Sequence, residues 1–229
     1  MMKLDGRPES IVLDLSKTAL IVVDMQNAFL NPGGLLDRAG LDISDAPRTI
    51  EAAQRVLRTA RDLGMLVVHL AVGYPPDLST AGGPTSPNPR KELALCLMER
   101  HPEWRGELLI WGTWDAEIVE ALAPRAGEVV IRKSRYSGFA GTPLDQLLRS
   151  RNIQYLLFIG VATNVCVEST IRDAYFHEYW PILIADAAMP AGPGAMHEAT
   201  LFNVEHFFGW VTTVEAFEKA ARGTLAVAR

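Results

Sequence analysis

The sequence predicts an α/β fold built on a mainly parallel sheet with helices on both faces. Three observations carry this. Apolar, β-branched runs recur at TALIVVD, MLVVHLA, EVVIRK, YLLFIGV and PILIADA. Stretches with helical periodicity stand between them. The runs are almost uninterrupted in apolarity rather than alternating, which is the mark of strands buried on both faces. Taken in order, residues 18–24 form the first strand. Asp45 to Gly64 form an amphipathic helix, with Ile50, Ala53, Val56, Leu57 and Ala60 on one face and Gly64 as the stop. Residues 65–71 form the second strand. The Pro- and Gly-rich stretch GYPPDLSTAGGPTSPNPR follows, longer than a simple connection needs. Residues 114–123 read as a helix and 128–133 as the third strand. TPLDQLLRSR reads as a helix with Thr142 at its N-cap and Pro143 at its first position. Residues 155–161 and 181–187 are the fourth and fifth strands, and helical stretches near 194–208 and 213–222 follow.

The bulk properties narrow the function. The chain has 229 residues, of which 48% are hydrophobic, enough for a sizeable core in one domain. No apolar run approaches the length of a membrane span. The N-terminal MMKLDGRPES has no apolar core of the kind a secretory signal carries. The net charge is −5 with no basic block, which argues against a nucleic-acid partner. The two cysteines, Cys96 and Cys166, make a disulfide framework implausible and suit a free thiol in the cytoplasm. The five histidines are scattered.

Parallel sheets bind ligands at the carboxyl ends of their strands. Asp24 and Lys133 end two predicted strands, and Cys166 lies just beyond a third, at the start of a helix. A helix N-terminus offers N–H groups and a partial positive charge that favour a thiolate. The same groups can hold an oxyanion. Asp24 is placed to take the thiol proton, and Lys133 to favour the charged forms of both. Each residue also has a plainer reading: Asp24 as a turn or capping residue, Lys133 as a solvated strand end, Cys166 as a small core residue. Cys96, in KELALCLMER, reads as a helix-face core residue.

The segments IVVDMQNAF, RKSRYSGFAGTPLD and GVATNVCVEST resemble, in order, the signature segments of the isochorismatase-like cysteine hydrolases. Within that superfamily NPGG, RYSGF, LRSR, ATNVCVEST and the C-terminal LFN and FFGW are similar to the ureidoacrylate amidohydrolases of pyrimidine breakdown. The resemblance spans the chain and implies one domain over residues 1–229, a Rossmann-like three-layer αβα sandwich with a mainly parallel six-stranded sheet. It implies a catalytic triad of Cys166, Asp24 and Lys133. It also implies a non-proline cis peptide between Val161 and Ala162, with the Ala162 and Cys166 N–H groups as the oxyanion hole. Asn27, Tyr74 and Tyr136 are candidate substrate contacts. Relatives that hold zinc carry an Asp and two His after the second strand. Here only His69 lies in that region, so no metal and no cofactor are expected.

The chain departs from the ureidoacrylate group in the loop after the second strand. Val72, Gly73 and Tyr74 make it more apolar than the resemblance implies, and Thr80 stands where an acid is expected. The expected substrate is therefore a small ureide cleaved through an S-carbamoyl or S-acyl cysteine. Competing substrates are biuret- or triuret-type ureides and N-carbamoyl amino acids. Other readings are a vinyl-ether hydrolase and a catalytically silent binding protein. A nucleotide-binding protein lacks the glycine fingerprint after the first strand. A homo-oligomer, dimer or tetramer, is expected from the relatives and from aromatics at helical spacing in LFNVEHFFGWVTTVEAF.

Overall fold

The computed structural model describes residues 1–227. A two-stranded antiparallel sheet, β1 (Met2–Leu4) and β2 (Ile11–Leu13), opens the chain. The central sheet follows: β3 (Thr18–Val23), β4 (Leu66–Val72), β5 (Val129–Lys133), β6 (Tyr155–Val161), β7 (Trp180–Met189) and β8 (Trp210–Thr212). Their spatial order is β5-β4-β3-β6-β7-β8, and every pair is parallel. The helices are α1 (Asn27–Leu30), α2 (Leu35–Arg38), α3 (Ala46–Asp62), α4 (Leu93–Arg100), α5 (Leu144–Ser150), α6 (Glu168–Phe176), α7 (Gly194–Asn203) and α8 (Val214–Val227).

Alternate residues of one strand feed two cores. Leu20 and Val22 of β3 join Ala53, Val56 and Leu57 of α3 and Phe217 of α8. Ala19, Ile21 and Val23 join Leu144 and Leu148 of α5 and Ile171 of α6. This is the three-layer αβα arrangement, and the two-residue period of a strand explains it. Truncating a fully buried side chain such as Leu57 to alanine costs ~2–5 kcal/mol. Among the described residues no helix is long and apolar enough to cross a membrane.

The strand order reverses between β3 and β6, so the crevice of the fold opens between the carboxyl ends of these neighbours. Their approach is unusually tight. Gly160 pairs with Val23 at φ +125, and a Cβ there would lie 2.0 Å from the Val23 carbonyl oxygen. Only glycine fits that position.

Three sequence expectations need correction. Residues 114–123 are two short 3-10 turns, Trp114–Ala116 and Glu120–Leu122, rather than one helix. Their backbone groups are taken by the segment after β3: Asn27 N–H donates to Glu117 O, and Val119 N–H to Met25 O, both at 2.9 Å. Asp115 turns inward and accepts the Leu35 and Leu109 N–H groups. The helix expected from Pro143 begins at Leu144, although Thr142 Oγ1 still accepts the Leu144 N–H at 3.2 Å. The stretch 194–208 is α7 followed by a π turn, Val204–Phe208. The sixth strand, β8, is a three-residue segment between two helical stretches, too short to show a pattern.

Candidate active site

Asp24 follows β3 directly and adopts φ 49, a conformation aspartate tolerates better than most residues. Its N–H donates to Leu70 O at 2.9 Å, which fixes the turn against β4. Gln26, fully buried, holds the next step. Its amide donates to Val72 O and Ala116 O, each at 2.8 Å, and its carbonyl accepts the Val72 N–H at 2.9 Å. Three good bonds on one buried amide satisfy nearly its whole capacity. Gln26 thus positions the Asp24 turn, a role the sequence reading missed.

Lys133 ends β5, one strand beyond β4. Its ammonium donates to Asp24 Oδ2 at 2.7 Å, to Arg135 O at 3.1 Å and to Tyr136 O at 3.0 Å. Both side chains of the ion pair are wholly buried. An ammonium has three N–H donors, and all three are engaged. Lys133 therefore has no donor left for a substrate, and its part is to fix and charge-balance Asp24.

Cys166 lies in a π turn, Thr163–Val167, that leads from β6 into α6. The Val161–Ala162 peptide is cis. Among the described residues no acceptor takes the Ala162 N–H. The turn is pinned from the side of α7. Asn164 exchanges two hydrogen bonds with the Ala191 backbone, at 3.0 and 3.1 Å. Thr163 Oγ1 meets His197 Nδ1 at 3.0 Å. From the other side Thr170 Oγ1 donates to Cys166 O at 2.6 Å and accepts the Gly138 N–H at 3.0 Å. Glu168 binds Arg172 within α6 and reaches Thr200 and Asn203 of α7.

Asp24 Oδ1 is buried and has no hydrogen-bond partner of good geometry. Cys166 is nevertheless close enough to enter the titration of both Asp24 and Lys133. Burial raises the Asp24 pKa, against the pull of Lys133. Burial by itself would lower Lys133, but the Asp24 and Cys166 charges outweigh it and raise its pKa. The Cys166 pKa stands well above the usual thiol value. Burial is the largest cause and Asp24 adds to it, while Lys133 opposes both. The helix start favours a thiolate, but desolvation of the charged sulfur in an enclosed site acts against it and is the larger effect. At rest the thiol keeps its proton, with the Asp24 carboxylate in reach.

The remaining expected contacts are committed elsewhere in this structure. Asn27 donates to Trp114 O and accepts from Asn31, both at 2.7 Å. Tyr74 is fully buried, with its hydroxyl against Asn88 Nδ2 at 3.1 Å and Ser134 O at 3.4 Å. Tyr136 donates to Lys91 O at 3.3 Å, but its backbone carbonyl touches Lys133. Of the three, Tyr136 stands nearest the triad. Glu92, also missed in the sequence, is buried at the start of α4 with Lys133 and Asp24 in electrostatic reach. Cys96 is half-buried in α4.

His69 lies in β4, its Nε2 at 3.0 Å from Glu128. Among the described residues no three His, Cys, Asp or Glu side chains converge as a metal site. The groups available are thus a protonated thiol, a nearby carboxylate with its counter-ion, and an uncommitted N–H at the turn.

Comparison with known proteins bears on the fold and the family. The isochorismatase domain profile matches residues 18–216. The chain is 52% identical over 217 residues to ureidoacrylate amidohydrolase RutB of Methylorubrum extorquens, covering 95% of this chain and 88% of that protein. Among solved structures, a cysteine hydrolase from Pseudomonas syringae pv. phaseolicola aligns with a TM-score of 0.79 at 28% identity, covering 97% of this chain and 99% of that one. N-carbamoylsarcosine amidase from Thermoplasma acidophilum aligns with a TM-score of 0.65 at 27% identity, covering 87% and 97%.

Proposed function

The chain belongs to the isochorismatase family, and from that premise we propose a ureidoacrylate-type amidohydrolase in which Cys166, Asp24 and Lys133 cleave a ureido C–N bond. The identity to ureidoacrylate amidohydrolase over 95% of the chain supports the reaction and substrate class. The observation that carries the residue roles is the divided Asp24 carboxylate. One oxygen is held by Lys133 at 2.7 Å, the other is buried without a hydrogen-bond partner of good geometry, and Cys166 is within reach of the carboxylate.

Asp24 takes the Cys166 proton as the thiolate attacks the ureido carbonyl carbon. The carbonyl oxygen becomes an oxyanion, held by the N–H groups of Ala162 and Cys166. Losing one such donor in other enzymes lowers the rate by ~10²–10³-fold. Asp24 returns the proton to the nitrogen that leaves, which in ureidoacrylate is the aminoacrylate nitrogen. The carbamoyl group remains on sulfur. Asp24 then removes a proton from water, which attacks the carbamoyl carbon and releases carbamate and the free thiol. Lys133 compensates the Asp24 charge throughout, and its three fixed bonds keep the carboxylate from rotating.

Burial favours this order of events. A protonated thiol at rest resists adventitious oxidation and alkylation, and becomes a nucleophile only with substrate present. A cytoplasmic location suits the two free cysteines. A dimer or tetramer suits the exposed Phe176, Phe202 and Phe207. All of the reaction lies within one domain spanning the chain. Ammonia release from a ureide panel by the wild type and by Cys166→Ala tests the reading: activity with ureidoacrylate that vanishes in the variant supports it, and activity that survives opposes it.

A further inference from the structure

Glu92 is a buried acid for which neither the fold nor the triad requires a charge. It is only 3% exposed. Among the described residues no Lys, Arg or His lies within ion-pair distance of it. Its one hydrogen bond of good geometry comes from the Leu95 N–H, at 2.9 Å, at the start of α4. Capping needs only a neutral acceptor. Serine, threonine and asparagine do it at least as well and without burying a charge. Buried charges without a counter-ion are rare and concentrate at functional sites.

The position of Glu92 ties it to the reaction centre. The preceding residue, Lys91, gives its carbonyl to the Tyr136 hydroxyl. The Tyr136 carbonyl in turn holds the Lys133 ammonium. Tyr136 thus bridges the start of α4 and the triad, and its phenol feels both Glu92 and Cys166. Glu92 itself feels Lys133 and Asp24. A second buried acceptor, Asp24 Oδ1, stands unpartnered in the same neighbourhood. Burial raises the Glu92 pKa, and the two backbone N–H groups at the helix start only partly offset this. A new hydrogen-bond donor would relieve that burden.

A ureido group is rich in donors. Its carbonyl oxygen is served by the N–H groups of the nucleophile turn, but its terminal NH2 needs acceptors. Lys133 offers none, and Thr80 holds the loop position where an acid was expected. We propose that Glu92 is a specificity-determining residue whose carboxylate accepts a hydrogen bond from the terminal NH2 of the ureido group, so that the site selects carbamoyl compounds over simple amides. The proposal rests on the ureide reading of Cys166 and deepens it.

The test compares kcat/KM for ureidoacrylate and for its N-acetyl counterpart, in which a methyl replaces the terminal NH2. The wild type favours the ureide by ~10²-fold or more, because a site built for an N–H rejects an analogue lacking it. Glu92→Ser keeps a helix cap and removes the carboxylate. It narrows that preference ~10-fold or more, chiefly through the KM of the ureide. Glu92→Gln keeps an acceptor oxygen and restores much of the preference. An unchanged ratio in a Glu92→Ser protein that melts like the wild type overturns the proposal. If Glu92→Ser melts low, Glu92→Asp is read the same way, since it keeps the cap and withdraws the carboxylate.

A wild type that hydrolyses neither compound contradicts the ureide reading instead. Glu92 is then tested without turnover, through the relative rates of iodoacetamide and iodoacetate at Cys166 at mildly alkaline pH. A carboxylate facing the thiol favours the neutral amide reagent, and Glu92→Ser narrows the ratio. An equal ratio in both proteins shows that Glu92 does not face the site.

Discussion

Lys133 Nζ lies 2.7 Å from Asp24 Oδ2, with both side chains wholly buried and the other two lysine donors spent on Arg135 O and Tyr136 O. Three strands share in this contact. Asp24 follows β3, Lys133 ends β5, and Val72 of β4 lies between them, held by Gln26. The pair is therefore part of the architecture as well as of the candidate site.

Removing one partner of a buried pair leaves an uncompensated charge, which costs ~3–5 kcal/mol. Lys133→Ala should lower the unfolding free energy by about that amount and abolish turnover. Urea unfolding monitored by fluorescence measures the first effect. A loss below about 1 kcal/mol, as for an exposed pair, would show that the pair does not hold the strand ends together.

The high pKa of Cys166 sets its reactivity without substrate. Iodoacetamide modification at Cys166 should be slow at neutral pH and rise steadily through and beyond pH 9.0, the ordinary thiol value. The sign follows from burial: the protonated form is favoured, so the thiolate appears only at higher pH. Asp24→Asn removes the neighbouring negative charge that adds to the shift, and should move the rise to lower pH. A plateau in the wild-type rate below neutral pH, read by peptide mass mapping, would mean a thiolate at rest.

Gly160 fixes the spacing of the two strand ends that carry Asp24 and the Cys166 turn. A methyl at this position meets the Val23 carbonyl oxygen at 2.0 Å, and the backbone φ of +125 disfavours any other residue. Gly160→Ala should lose several kcal/mol of stability, since overpacking and backbone strain each cost ~1–3 kcal/mol. Residual activity should fall further than the folded fraction does. A variant with wild-type melting and turnover would refute the tight approach.

The acid limb of stability should be set by Arg61, Glu128 and His69. Arg61 binds Glu128 through two nitrogens, at 2.7 and 3.0 Å, and His69 meets the same carboxylate at 3.0 Å. Burial resists ionisation of Glu128, but Arg61, the Arg125 N–H and His69 outweigh it and bring its pKa from 4.5 to about 2. The folded value is the lower one. The stabilisation is therefore complete above pH 4.5 and lost as pH falls toward 2. His69 is held neutral by burial, below its usual 6.5. The unfolded chain takes that proton first, so stability also declines below pH 6.5. Glu128→Gln should flatten the melting-temperature profile across the more acid window, and an unchanged slope there would remove Glu128 from this role.

The strands were readable because parallel strands buried on both faces give continuous apolar runs; TALIVVD and YLLFIGV need no context to be recognised. The turn that carries Cys166 was readable because a strand, a polar turn and a cysteine follow in sequence. Residues 114–123 have helical spacing, but their backbone partners, Met25 and Asn27, lie about ninety positions away and no local signal announces them. Gln26 and Glu168 look like ordinary polar residues until Val72, Ala116, Thr200 and Asn203 come into contact with them. Glu92 sits in the charged run RKE and reads as solvated surface. Only the fold shows that it is buried.

Covalent catalysis by Cys166 is tested by the rate of ureidoacrylate hydrolysis by Cys166→Ala, followed as ammonia release against the wild type under identical conditions. The variant should stay folded and lose activity on the order of 10⁴- to 10⁶-fold, the scale seen when a covalent nucleophile is removed. Hydrolysis by folded Cys166→Ala within about tenfold of the wild type would contradict it.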